Sequence, residues 1–260
     1  MKDLRIAIFL GFLQGITEWL PISSEGVLVV ASMAFFGHEL NQSVSYALWL
    51  HSGTSLAAFY VFRKEMTETI REFLLFNRER SARSDFLFLA TVFSVIVGAI
   101  LMPYAKNIPF GFESETMTLI GILMFFTGLI QLKKPRNGVR FEEHLLRTDA
   151  FFAGIAQGFS ILPGLSRSAL TLSCLAWRGL DHQSALRLSF MMSIPVTLGV
   201  SLLQGVIGEV IVSKEIVIAA GVSLITGITS MKILLLLTQK INFGFFMVLT
   251  GLLIIIGSNL

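Results

Sequence analysis

The chain has a single cysteine, Cys174, among its 260 residues. That excludes a disulfide framework within it and leaves the residue as a small apolar packing group. Charge is scarce as well: 14% of the residues are charged, where a soluble globular domain carries about a quarter. No Cys/His spacing suited to a structural metal occurs, and no Gly-x4-Gly-Lys phosphate loop. The N-terminal MKDLRIAIFLGFLQG has an apolar run with no small-residue cleavage site after it, so a cleaved signal peptide is not expected. What the chain has instead is apolar bulk. Hydrophobic residues make up 54% of it, with 23 Phe and 22 Gly, and the mean hydropathy is +0.76. Phe-rich and Gly-rich apolar sequence is the composition of packed membrane helices. The net charge of +3 sits mostly in loops, which reports membrane orientation and points to no nucleic acid.

Six segments are long and apolar enough to be read as spans: 44–62, 86–103, 117–132, 184–206, 215–237 and 243–259. Two further apolar regions, 4–36 and 150–178, are each broken by a proline and a polar run into pieces too short to cross. Broken helices survive at membrane depth where protein or water satisfies their backbone, so each region is predicted to be a re-entrant helix–loop–helix. The fold expected is an all-α polytopic membrane protein, with residues 1–260 as one membrane domain. The loop 63–85 holds Arg63, Lys64, Arg71, Arg78, Arg80 and Arg83, and the loop 133–149 holds Lys133, Lys134, Arg136, Arg140 and Arg147. The facing loops carry only Lys106 and Lys214, so the basic loops are expected in the cytoplasm and both termini outside. Glu65, Glu68 and Glu72 at helical spacing predict an amphipathic helix within 63–85.

An internal repeat orders these segments. GFLQGITEWLPISSEG at 11–26 resembles GIAQGFSILPGLSRSA at 154–169, and GILMFFTGLI at 121–130 resembles GFFMVLTGLL at 244–253. Two halves are expected, about 1–132 and 150–260. With three spans in each, the second half is inverted, an arrangement whose broken helices meet near the midplane.

The two polar loops then face each other. PGLSRSALT at 163–171 brings Arg167, a planar fork of donors suited to phosphate, with hydroxyls from Ser166, Ser168 and Thr171 and a tight turn at Gly164. A helix start here favours an anion; alternatively Arg167 pairs with Glu18 or Glu25 to hold the halves together. The first loop supplies Glu18, four residues after Gln14 on one helix face, as a candidate acid or base. Ser23 or Ser24 could attack phosphorus, although Ser23 can equally cap the second short helix. Glu18 or Glu25 could hold a divalent cation. His51, beside Ser52, Gly53, Thr54 and Ser55 in a predicted span, either lines the same cavity or simply packs.

EWLPISS and PGLSRS, with their spacing and the inverted repeat, resemble the undecaprenyl pyrophosphate phosphatase (BacA/UppP) family over nearly the whole chain. The resemblance implies removal of the terminal phosphate of an undecaprenyl-type polyprenyl diphosphate, recycling the lipid carrier for envelope synthesis. It implies Glu18 as the catalytic carboxylate, Ser24 as nucleophile with Ser23 beside it, Arg167 as phosphate binder, and a site facing outward. A divalent cation, Mg²⁺ or Ca²⁺, is also implied. The first motif departs from the family's usual form: Gln14 stands for a glutamate, Glu25 for a threonine and Val27 for a functional histidine. Glu25 and His51 are the candidates to take over from that histidine. The expected partners are a polyprenyl diphosphate lipid and the bilayer, with a homodimer as a candidate assembly. The competing reading is a lipid-phosphate or small-anion transporter or flippase on the same repeat.

Overall fold

The computed structural model describes residues 4–75, 80–105, 140–162, 165–207, 213–240 and 243–258, with scattered positions between 115 and 132. Among the described residues the chain is helical and contains no strand. The helices are α1 (Leu4–Thr17), α2 (Ser24–Phe36), α3 (Leu40–Val61), α4 (Arg63–Leu74), α5 (Ala82–Ala105), α6 (Arg147–Phe159), α7 (Arg167–Trp177), α8 (His182–Ile207), α9 (Lys214–Lys240) and α10 (Phe243–Gly257). Three of them contain stretches long and apolar enough to cross a bilayer, at Ala82–Ala105, His182–Leu203 and Lys214–Leu237. The chain is a multi-pass membrane protein. The segment expected at 117–132 is helical wherever it is described. Pro163, Gly164, Arg78, Lys106, Lys133, Lys134 and Arg136 lie outside the described residues.

The two apolar regions expected to be broken are broken. α1 has 14 residues and α2 has 13, and α6 and α7 have 13 and 11. At about 1.5 Å per residue none covers the roughly 30 Å of a hydrocarbon core. Pro21 lies in the turn between α1 and α2. Ser23 then starts α2 as its N-cap, its hydroxyl accepting from the Gly26 amide at 3.2 Å. Ser166 does the same for α7, accepting from the Ala169 amide at 3.3 Å. Gly37 ends α2 in the left-handed region at φ 64°, its amide bonded to the Met33 carbonyl.

Each short N-terminal piece lies against a long helix distant in sequence. α1 packs on α9 and α6 packs on α5, while α3 packs on both α8 and α9. Gly11 and Gly15 allow the first contact: a Cβ at Gly11 would come within 2.3 Å of the Ala219 carbonyl, and one at Gly15 within 1.8 Å of the Thr226 hydroxyl. Close backbones then share hydrogen bonds, as where the Ser230 hydroxyl donates to the Gly15 carbonyl at 2.5 Å. The α6–α5 contact repeats this pattern, with Gly154 and Gly158 against Ala90 and Val97 and the Ser94 hydroxyl donating to the Gly154 carbonyl at 3.1 Å.

α4 is the amphipathic helix expected in the loop 63–85, with Met66 and Thr69 buried and Glu68 and Arg71 exposed. Glu65 of α4 pairs with Arg187 of α8 at 2.6 Å, and Arg187 also reaches Glu142 at 3.1 Å. Nearby, buried Asp149 at the start of α6 receives Arg140 and Arg178, the latter at 2.7 Å, and the Leu146 amide at 2.9 Å. These ion pairs tie α4, α6 and α8 to the segment around Arg140 and Glu142.

Candidate functional site

The site is assembled by the turns after α1 and before α7. Glu18 sits just past the end of α1, where its amide still bonds to the Gln14 carbonyl at 3.0 Å. The next residue anchors the turn: Trp19 is buried, its indole nitrogen donates to the Gly227 carbonyl at 3.0 Å, and its ring meets Phe190 edge to face at 5.0 Å. Trp19 thereby holds the Glu18 backbone against α8 and α9. The second turn is tied to the first by Ser168, whose hydroxyl donates to the Leu20 carbonyl at 2.7 Å.

Four side chains from four helices converge on the Glu18 carboxylate. Its Oε1 pairs with Nη2 of Arg167, the first residue of α7. Its Oε2 accepts from Gln14 Nε2 of α1 at 2.9 Å and from the hydroxyl of Ser24, the first residue of α2, at 2.9 Å. His51 Nε2 of α3 stands 3.2 Å from the same oxygen. The cluster is secluded: the side chains of Glu18, Arg167 and His51 are 4%, 12% and 15% exposed. Ionic and polar groups at such depth survive only when paired, and here Glu18 is paired on both oxygens. The positive ends of two helices, α2 beginning at Ser24 and α7 at Arg167, meet at this carboxylate. Their cap serines engage the third amide of each helix, and the first amides retain the anion-binding character of a helix start.

The remaining expected residues divide between the cluster and its frame. Ser23 is the α2 cap and Ser166 the α7 cap, with the Ser166 and Ser168 hydroxyls 3.2 Å apart. Thr171 bonds the Arg167 carbonyl at 2.9 Å and the Ser189 hydroxyl at 2.6 Å, so it braces the first turn of α7. Glu25 is half-buried on the first turn of α2 and makes no hydrogen bond or ion pair among the described residues. Gly164 lies outside the described residues. Of the two candidates to replace a histidine at position 27, only His51 touches Glu18. Sequence reading did not single out Trp19 or Ser189. Trp19 carried a signal, a large amphipathic side chain beside a buried carboxylate; Ser189 carried none, being one of many hydroxyls in α8.

A divalent cation needs several hard oxygen ligands. Among the described residues no three His, Cys, Asp or Glu side chains gather as ligands. Both Glu18 oxygens are already engaged by nitrogen or hydroxyl donors. Glu18 and Glu25 therefore do not build a resident metal site with what surrounds them, since a hard cation takes about six oxygen ligands.

A model of the family described as bacitracin resistance protein BacA matches residues 7–256. Curated relatives named undecaprenyl-diphosphatase are similar to the chain over most of their length. One from Methanococcoides burtonii is 34% identical, covering 97% of each chain. One from Methanothrix thermoacetophila is 34% identical over 96% of this chain and 95% of its own. One from Haloarcula marismortui is 32% identical over 100% of this chain and 99% of its own.

Proposed function

The chain belongs to the bacitracin resistance protein BacA family, and from that premise we propose that it is a membrane-embedded polyprenyl diphosphate phosphatase. It hydrolyses the terminal phosphate of an undecaprenyl-type lipid diphosphate and so recycles the lipid carrier. The name shared by its relatives supports the substrate class. The observation that carries the reaction is the hydrogen bond from the Ser24 hydroxyl to the Glu18 carboxylate, a nucleophile already in contact with its base.

In this reading Arg167 and the starts of α2 and α7 bind the diphosphate, neutralising charge that grows on the equatorial oxygens. Ser24 Oγ bonds to the terminal phosphorus as the bond to the bridging oxygen breaks, and the hydroxyl proton passes to Glu18. Glu18 hands that proton to the departing polyprenyl monophosphate and is ionised again. A water then attacks the phosphoserine; Glu18 takes its proton and returns one to Oγ as inorganic phosphate leaves. Arg167 has to turn from Glu18 toward phosphate, and its second amino group, facing the Ser189 carbonyl at 3.5 Å, gives the guanidinium a pivot. Gln14, Ser23, Ser166, Ser168 and Thr171 frame these groups. A divalent cation would supply further charge neutralisation on the diphosphate, with Glu18 and Glu25 the nearest carboxylates; among the described residues no third such ligand joins them.

The fold reading that accompanies this is six spans and two re-entrant pairs in two inverted halves, about 1–132 and 150–260. Three symmetric features support it: the paired GxxxG contacts of α1 on α9 and α6 on α5, the paired cap serines, and the central contact of α3 with α8. By loop charge the basic loops 63–85 and 133–149 face the cytoplasm and the site opens outward.

Purified protein given a polyprenyl diphosphate is expected to release inorganic phosphate. No release from any chain length, with the protein folded, overturns the hydrolase in favour of a lipid-phosphate carrier.

A further inference from the structure

The Glu18 carboxylate is a side chain on a turn, so its orientation depends on its partners. One of these, Arg167, must serve the substrate phosphate during turnover. Something else has to keep Oε2 beside the Ser24 hydroxyl while Arg167 is engaged. Gln14 contributes, but its amide is shared with the Thr54 hydroxyl at 3.5 Å.

His51 is better placed. Its Nδ1 lies 2.7 Å from the Ala47 carbonyl, one turn back on α3, and its Nε2 lies 3.2 Å from Glu18 Oε2. Both nitrogens face acceptors, a pattern met by the doubly protonated ring, which donates from Nδ1 to the Ala47 carbonyl and from Nε2 to Glu18 and leaves no ring nitrogen for substrate. The backbone just before it is pinned from two neighbouring helices. The Ser201 hydroxyl of α8 donates to the Leu48 carbonyl at 3.2 Å, and the Ser223 hydroxyl of α9 donates to the Leu50 carbonyl at 3.1 Å. A rigid element thus supports the donor, the condition for holding a reactive group within a fraction of an ångström.

We propose that His51 is a positioning residue: its Nε2 donor holds Glu18 Oε2 in line with the Ser24 hydroxyl, which makes α3 part of the reactive centre alongside α1, α2 and α7. The inference rests on the reading of Glu18 as the base for Ser24. It assigns His51 to the carboxylate and not to the lipid phosphate.

Two amide substitutions separate the ends of the ring. In His51→Gln the amide nitrogen reaches the place of Nε2; in His51→Asn it reaches only the place of Nδ1. Phosphate release by the full chain, with kcat and KM resolved, is measured for both and for His51→Ala, beside the thermal unfolding midpoint. His51→Ala and His51→Asn are expected to lower kcat about 10–100-fold, the cost of a misplaced reacting group, with KM and the midpoint little changed. His51→Gln is expected to retain most of the wild-type kcat. Wild-type rates in His51→Ala and His51→Asn overturn the inference and leave the hydrolase standing. A rise in KM at unchanged kcat makes His51 a substrate ligand and overturns it. Equal loss in all three variants, with or without a lowered midpoint, overturns it too, since the Nε2 donor would then not be what matters. Wild-type protein that releases no phosphate overturns the hydrolase reading and this inference with it.

Discussion

Ser23 and Ser24 are adjacent serines with different duties, and the hydrogen-bond pattern separates them. The Ser23 hydroxyl accepts from the Gly26 amide, while the Ser24 hydroxyl donates to Glu18. Ser23→Ala is therefore expected to cost about 1 kcal/mol of stability, the usual loss for a helix cap, and to leave the rate of phosphate release within a few-fold of wild type. Thermal unfolding and a phosphatase assay on the same preparation check it. Inactivation by Ser23→Ala without destabilisation would reverse the assignment of the two serines. The sequence could suggest both roles for this pair and could not divide them, because the division depends on where the first turn of α2 points. The same holds for Thr171 and Ser168. Both stand in a motif rich in phosphate-binding side chains, yet one hydroxyl bonds Ser189 and the other the Leu20 carbonyl. Their partners come from other segments, one of them a backbone atom, and neither contact has a sequence signature.

At the scale of elements, the breaks in the apolar regions were readable from Pro21 and from the polar runs that follow, because proline and a cap such as Ser23 act locally. Helix α4 was readable from the spacing of Glu65, Glu68 and Glu72. What covers each short helix was not readable, since it depends on helices some 200 residues away in the case of α1 and α9. The residues that permit those contacts were visible, as Gly11–Gly15 and Gly154–Gly158, without naming their partners. Gly15→Val is expected to push α1 off α9, since even one carbon there meets Thr226 at 1.8 Å. Overpacking of this kind costs about 1–3 kcal/mol or more. Because α1 carries Gln14 and leads into Glu18, activity should fall with stability. A fully active Gly15→Val protein with an unchanged unfolding midpoint would contradict this packing.

At the scale of the whole molecule, the reactive cluster and the ion pairs around Asp149 are two separate polar centres in a largely apolar body. Burial alone would raise the Asp149 carboxyl pKa. The donors from Arg140, the Leu146 amide and Arg178 outweigh it and hold the pKa below the ordinary aspartate value. A carboxyl depressed in the folded state adds stability that is fully present above its unfolded pKa of about 3.9 and disappears as pH falls through the folded value. Asp149→Asn is expected to lower stability by on the order of 3 kcal/mol at neutral pH, as for breaking a buried pair. The gap to wild type should close in acid below about pH 4. A gap independent of pH, in unfolding midpoints taken across that range, would show that the charge of Asp149 is not what matters. The buried acid was invisible in the sequence, where Asp149 stood at the edge of a basic loop.

The proposed chemistry turns on the contact between the Ser24 hydroxyl and Glu18. Its most direct test is the rate of phosphate release from a polyprenyl diphosphate by Ser24→Ala protein measured beside wild type. Loss of turnover by about 10³-fold or more, with the lipid still bound and the unfolding midpoint unchanged, is the predicted result for a missing nucleophile. Near-normal release by Ser24→Ala would contradict it.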